Sequence, residues 1–247
     1  MITPTEQKLG LIEQTGIDVV ICVSFDIAFA AISAEDFVKK ILVAKIGIKE
    51  MVVGYDYTFG YQRQGNLELL RHMSQELGFT VHVIGPIEIN QNPVSSTSVR
   101  QLVQAGQLKE AKEQLGRDFQ ISGNVVRGQG RGQKLLGFPT ANLNWADALY
   151  PKPGVYAVRV ILEGRIYYGI TNIGYNPTFE NQALSIETHI FDFAMNIVDK
   201  TIKIEFIERI RDEKKFQNIK ELSNQIALDI RSAKKTLNLK EAKVQVD

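Results

Sequence analysis

Leu184-Ser185-Ile186-Glu187-Thr188-His189-Ile190-Phe191-Asp192-Phe193 alternates inward and outward side chains with the two-residue period of a half-buried strand. Thr201-Ile202-Lys203-Ile204-Glu205-Phe206 repeats the pattern downstream. Upstream, residues 155–162 and 166–170 are joined by Glu163-Gly164, the pair that a tight hairpin turn requires. Ile121, Val125 and Val126 open a further strand. Short strands at this spacing predict a compact antiparallel barrel. From about Phe216 the period changes to helical, with Ile219, Leu222, Ile226 and Ile230 on one stripe, so the chain closes in a helix packed on the barrel.

Residues 4–14 predict a helix with Thr3 as cap and Glu6 completing a capping box. An apolar strand at 18–24 follows. Ser33 caps a second helix that Gly47 ends, before a strand at Met51-Val52-Val53. A third helix carries Leu67, Leu70, Met73 and Leu77, and a third strand runs over 79–84. This alternation predicts a parallel sheet covered by helices. The fold expected is therefore α/β followed by all-β, in two domains of residues 1–117 and 118–247. The 247 residues are enough for both.

A net charge of +1 gives no field to draw nucleic acid or an anionic membrane, so neither is an expected partner. No apolar run reaches the length of a membrane span, no secretory leader is visible, and the single cysteine, Cys22, excludes an internal disulfide. A cytoplasmic location is expected.

The polar signals cluster in few places. Gly128-Gln129-Gly130-Arg131-Gly132-Gln133-Lys134 is a glycine loop with cations, whose bare backbone can approach an anion. Immediately after it, Leu136-Gly137-Phe138-Pro139-Thr140-Ala141-Asn142-Leu143 holds a hydroxyl and an amide two residues apart, on one side of an extended backbone. Glu187 shares a strand face with Ser185, His189 and Phe191; a charged strand residue is ordinarily solvated, but if that face is the barrel's ligand side the carboxylate could take a proton from a hydroxyl nucleophile. In the first half, Gly54-Tyr55-Asp56-Tyr57-Thr58-Phe59-Gly60 follows a strand, and its aromatics could equally pack a loop. Ser95-Ser96-Thr97-Ser98-Val99-Arg100 starts a helix with four hydroxyls and an arginine, an anion-site composition. No phosphate loop ending in Gly-Lys-Ser/Thr and no His-Arg-Asp loop occurs. His72 and His82 read as surface or core residues, and the run 209–216, mixed in charge, as a solvated loop.

In order and spacing these motifs resemble the bacterial bifunctional riboflavin kinase and FAD synthetase family, over residues 1 to about 240. Residues 123–132, 136–143 and Glu187-Thr188-His189-Ile190 match its riboflavin kinase signatures, and 54–60 with 95–100 are similar to its FMN adenylyltransferase motifs. The resemblance implies a six-stranded barrel that moves the ATP γ-phosphate to the riboflavin 5′-hydroxyl. Thr140 and Asn142 would hold Mg²⁺ and phosphate oxygens, and Glu187 would be the base. Gly128, Gly130, Arg131, Gly132 and Lys134 would cover the nucleotide, and residues 209–216 would form a flap over the flavin. Asp56, Ser95, Ser96, Thr97 and Arg100 would serve the adenylyl-transfer site. Riboflavin or FMN and ATP are the expected ligands.

Family members begin with a strand, a glycine turn and a His-x-Gly-His motif, and this chain starts after them. The expectation is therefore an incomplete nucleotidyltransferase-like domain without adenylyl transfer, either N-terminally truncated or a relic supported by a partner. Two alternatives stand beside this: full FMN and FAD synthesis, or a flavin-binding module without catalysis.

Overall fold

The computed structural model describes residues 1–127, 138–145, 149–175 and 184–239. The chain forms two compact units, one of Met1–Thr15 with Ser95–Asp247 and a smaller one of Gly16–Val94.

In the larger unit six antiparallel strands close into a barrel. They are β5 (Phe119–Val126), β6 (Ala141–Trp145), β7 (Gly154–Leu162), β8 (Arg165–Tyr175), β9 (Leu184–Ile190) and β10 (Thr201–Arg211), in the ring order β10-β5-β6-β9-β8-β7. Alternation explains the closure, since Phe119, Ile121, Val125, Leu143, Tyr156, Val158, Val160, Leu162, Ile173, Ile186, Ile190, Ile202, Ile204 and Phe206 are all buried in one core. β7 and β8 turn through Glu163 and Gly164, both at positive φ (50° and 76°), the geometry of the tightest hairpin turns. The alternate residues Val155 and Ala157 of β7 face a second cluster with Ala233, Ile226 and Ile230 of the C-terminal helix Ile219–Thr236. Ile219 is 52% exposed, so the helix uses only the later part of its stripe.

Among the described residues this unit also holds the helices α1 (Thr5–Glu13), α5 (Ser96–Ala105) and α6 (Leu108–Leu115). Val99, Val103, Leu108 and Ala111 enter the barrel core cluster. Thr3 does not cap α1, where Pro4 takes the cap position; the Thr3 hydroxyl instead accepts a hydrogen bond from Arg117 Nη2 at 3.3 Å.

In the smaller unit β1 (Glu50–Gly54) and β2 (Thr80–Ile84) pair in parallel from Glu50↔Thr80 to Gly54↔Ile84. The helix α4 (Leu67–Leu77) connects them, capped by Asn66 and ended by Gly78 at φ 73°. Helix α3 (Ala34–Asp36), capped by Ser33, continues with wider turns as Phe37–Ile46. Val38, Val53, Phe59, Leu70, Met73 and Phe79 form the core between these elements. α2 (Ile27–Ala30) and a short antiparallel pair, β3 (Glu88–Ile89) with β4 (Asn92–Pro93), complete the unit.

The strand expected at residues 18–24 does not form. Ile17, Val19, Val20, Ile21 and Val23 are between 42% and 74% exposed, and no described strand pairs with them. β propensity expresses packing and ladder hydrogen bonds with neighbours. Without a neighbouring strand, an apolar sequence alone does not fix an extended conformation.

Candidate active site

The register of three barrel strands assembles a polar row. Asn142 on β6 stands opposite Glu187 on β9, and Glu187 stands opposite Asn172 on β8. Directly opposed residues share a face, with Cβ atoms roughly 5 Å apart. Leu143, Ile186 and Ile173 point into the core, so Asn142, Glu187 and Asn172, one residue out of phase, lie on the outer face. Glu187 is half-buried there. One step along, on the inner face, Thr171 and Thr188 join their hydroxyls at 2.8 Å, a fully buried pair that satisfies both groups without charge and ties β8 to β9.

Thr140 lies two residues before Asn142, exposed at a cleft of about 440 Å³. Val126 and Arg127 at the end of β5, Thr188, and the turn carrying Met195 and Asn196 line the same cleft. Its position is fixed from β9: His189 Nδ1 donates to the Pro139 carbonyl at 2.9 Å, and the Phe138 ring meets the imidazole edge-on at 5.5 Å. His189, to which the sequence assigned no role, thus docks the Phe138-Pro139 segment that leads into Thr140. Gly128, Gly130, Arg131, Gly132 and Lys134 lie outside the described residues.

The donor set suits a hard divalent cation. A threonine hydroxyl and an asparagine carbonyl are oxygen ligands of the kind Mg²⁺ accepts when substrate phosphates and water complete its shell. Among the described residues no three His, Cys, Asp or Glu side chains converge, so no all-protein metal cage competes with this arrangement.

The other candidates lie elsewhere. Ser95 caps α5, its Oγ accepting from Ser98 N at 3.1 Å, with Ser96 and Thr97 exposed in the first turn. Arg100 lines a different cleft, about 490 Å³, together with Gln104, Tyr150 and Lys152. Asp56 is exposed on the loop after β1 in the smaller unit, where the neighbouring Tyr57 and Phe59 stack at 5.4 Å. Tyr57 and Phe59 of that motif therefore pack the loop while Tyr55 is exposed, and burial holds the Tyr57 phenol above its ordinary pKa.

The run 209–216 is divided: Asp212 to Lys215 are exposed and outside any strand, as their charges suggested, whereas Arg209 and Arg211 belong to β10. Arg211 grips the buried Asp229 of the C-terminal helix with three hydrogen bonds of 2.7–3.0 Å, and Gln225 donates to the same carboxylate at 2.9 Å. Arg209 donates to the Pro153 carbonyl, the Tyr156 hydroxyl and Asp212. The Arg209 hydrogen bond, with a weaker one from Lys152, brings the Asp212 carboxyl down to about 2.

Proteins described as bifunctional riboflavin kinase/FMN adenylyltransferase are similar along nearly the whole chain: that of Buchnera aphidicola from Schizaphis graminum is 34% identical over 242 residues, covering 96% of this chain and 77% of the relative. That of Escherichia coli is 36% identical over 239 residues, covering 96% and 76%. The chain belongs to the bifunctional riboflavin kinase/FMN adenylyltransferase family. The riboflavin kinase family model matches residues 115–237, which contain the barrel and its polar row, and the FAD synthetase family model matches residues 1–98. Among solved structures, a Streptococcus pneumoniae protein described as a macrolide-efflux protein superposes with a TM-score of 0.83 at 31% identity, covering 92% of this chain and 73% of that one. No helix among the described residues is long and apolar enough to cross a membrane.

Proposed function

We propose that residues 118–247 are a riboflavin kinase domain that transfers the ATP γ-phosphate to the riboflavin 5′-hydroxyl and releases FMN and ADP. The observation that carries this reading is the direct register of Asn142 with Glu187, which sets a carboxylate beside the amide; Thr140 lies two residues before Asn142 in the chain. Phosphoryl transfer asks a protein mainly to position its reactants, neutralise phosphate charge and accept one proton. Glu187 takes the proton of the attacking hydroxyl. Thr140 and Asn142 hold phosphate oxygens and Mg²⁺. The bound cation supplies charge neutralisation at the phosphates. Arg127, at the rim of the cleft, and the glycine-loop residues Gly128, Gly130, Arg131, Gly132 and Lys134 serve the nucleotide side.

For the first half of the chain the reading is narrower. Asp56, in the smaller unit, and Ser95, Ser96, Thr97 and Arg100, at the start of α5 in the larger one, are each assigned to nucleotide or FMN binding, and adenylyl transfer is proposed to be absent from this chain. That reading is supported by the exposed apolar residues at 17–23 and by the sheet's having only β1 and β2 among the described residues. Incubation with riboflavin, ATP and Mg²⁺ tests both halves: FMN should accumulate without FAD. Absence of FMN from folded protein overturns the kinase reading, and FAD formation overturns the second.

A further inference from the structure

The cleft of about 490 Å³ has two walls, α5 and the segment that leads into β7, and both belong to the larger unit. Arg100 and Gln104, one helical turn apart and so on one face of α5, line it from the first; Tyr150 and Lys152 line it from the second. The spacing of the walls is set by the backbone. Lys152 stands between Pro151 and Pro153, its N–H donates to the Val103 carbonyl at 3.3 Å, and the Pro153 carbonyl accepts from Arg209 Nη2 at 2.8 Å. Gly106, which ends α5 at φ 78°, presses on the same two side chains: a methyl group there would come within 2.9 Å of Arg209 Cδ and 3.4 Å of Lys152 Cβ.

The charges facing this cleft are positive and open to exchange. Among the described residues no Asp or Glu lines it, and no carboxylate pairs with Arg100. Lys152 Nζ lies 3.3 Å from Asp212 Oδ1, with both side chains exposed, an ion pair of the kind that contributes little and is readily given up. Asp212 does not depend on it, because Arg209 Nη2 donates to the same oxygen at 2.7 Å. Lys152 can therefore turn to another anion while Asp212 keeps its stronger partner.

A guanidinium, an ammonium, an amide and a phenol are the donors that a phosphate group takes up, and the two cations supply charge-assisted bonds to it. The volume is that of a small-molecule site, larger than a bare phosphate fills, and Leu149, Pro151 and Pro153 give it apolar wall for an organic group. We propose that this cleft binds an organic phosphate carrying at least two negative charges, held jointly by Arg100 from α5 and by Lys152, which leaves Asp212 to reach it. The step rests on the reading of Arg100 as a ligand of nucleotide or FMN, and adds to it a cation from the barrel side.

Calorimetric titration of the full chain with pyrophosphate, without Mg²⁺ and at constant ionic strength, tests this. Arg100→Gln and Lys152→Gln, both at exposed positions, should each weaken binding about tenfold. Asp212→Asn should strengthen it about threefold, because it frees Lys152. Thr140→Val, at the other cleft, should bind as the parent does, and FMN or ADP should displace the bound pyrophosphate. Parent-like affinity in Lys152→Gln with weakening in Arg100→Gln overturns the proposal and leaves the reading of Arg100 standing; parent-like affinity in Arg100→Gln removes both. Loss of binding in Thr140→Val, no gain in Asp212→Asn, or displacement by neither FMN nor ADP also overturns it.

Discussion

Asn142 and Glu187 stand directly opposite each other on β6 and β9, in a stretch where these strands share only two registered pairs. So short a pairing puts the site at the place where the ladder is least extensive, next to the opening lined by Thr140. The base in this pair is the first target. Glu187→Gln should lower kcat for FMN formation by roughly 10²–10⁴-fold, the range typical of a positioned general base. Riboflavin affinity should stay near that of the parent. Turnover close to normal would remove Glu187 from this role.

Thr140→Val and Asn142→Ala should each raise the Mg²⁺ concentration needed for half-maximal activity, because each withdraws one oxygen ligand from a cation that the protein holds by few contacts. A Mg²⁺ titration at saturating riboflavin reads the effect. An unchanged midpoint in both variants would contradict the assigned ligands.

His189→Ala should act through Thr140. The substitution removes the hydrogen bond to the Pro139 carbonyl and the edge contact with Phe138. The KM for ATP should rise several-fold while riboflavin affinity holds, since the turn it docks lies on the phosphate side. Loss of riboflavin binding alone would place His189 on the other side.

Arg211→Leu should destabilise the larger unit by about 3–5 kcal/mol, because it leaves the Asp229 carboxylate buried without its partner. Replacing both residues with apolar ones should recover much of the loss. Denaturant midpoints of the single and double variants make the comparison, and a single variant as stable as the parent would refute it.

Acid stability should report on Asp212. Its folded carboxyl is held at about 2, below its ordinary value of 3.8, by the Arg209 hydrogen bond. A depressed folded pKa contributes stability above the unfolded value that disappears as pH falls through the folded one, so the loss belongs between about pH 4 and pH 2. Asp212→Asn should flatten the melting temperature against pH in that window and nowhere else. The carboxylate is exposed, so the change will be small.

Much of this architecture can be read from the sequence where the argument depends on period alone. The alternation at 184–193 and 201–206, the Glu163-Gly164 turn and the closing helix are local signals, and a closed six-stranded ring satisfies them all. What remains hidden depends on register. Nothing in the chain near Asn172 says that it faces Glu187. Charge misleads at Arg209 and Arg211, which are tied to buried partners that lie 53 and 18 residues away in sequence, but not at the exposed residues 212–215. The apolar run at 18–24 misleads in the opposite direction, because a strand needs a neighbour and composition cannot supply one.

The ring order has a consequence for synthesis. β10 bonds to both β5 and β7, although it is the last of the six strands to be translated. Until Arg211 has left the ribosome the nascent sheet is an open ribbon with two free edges, and edges of that kind recruit other chains. Vectorial folding cannot complete the barrel strand by strand. It must wait for one late event, after which the closed ring has no edge strand for another chain to pair with.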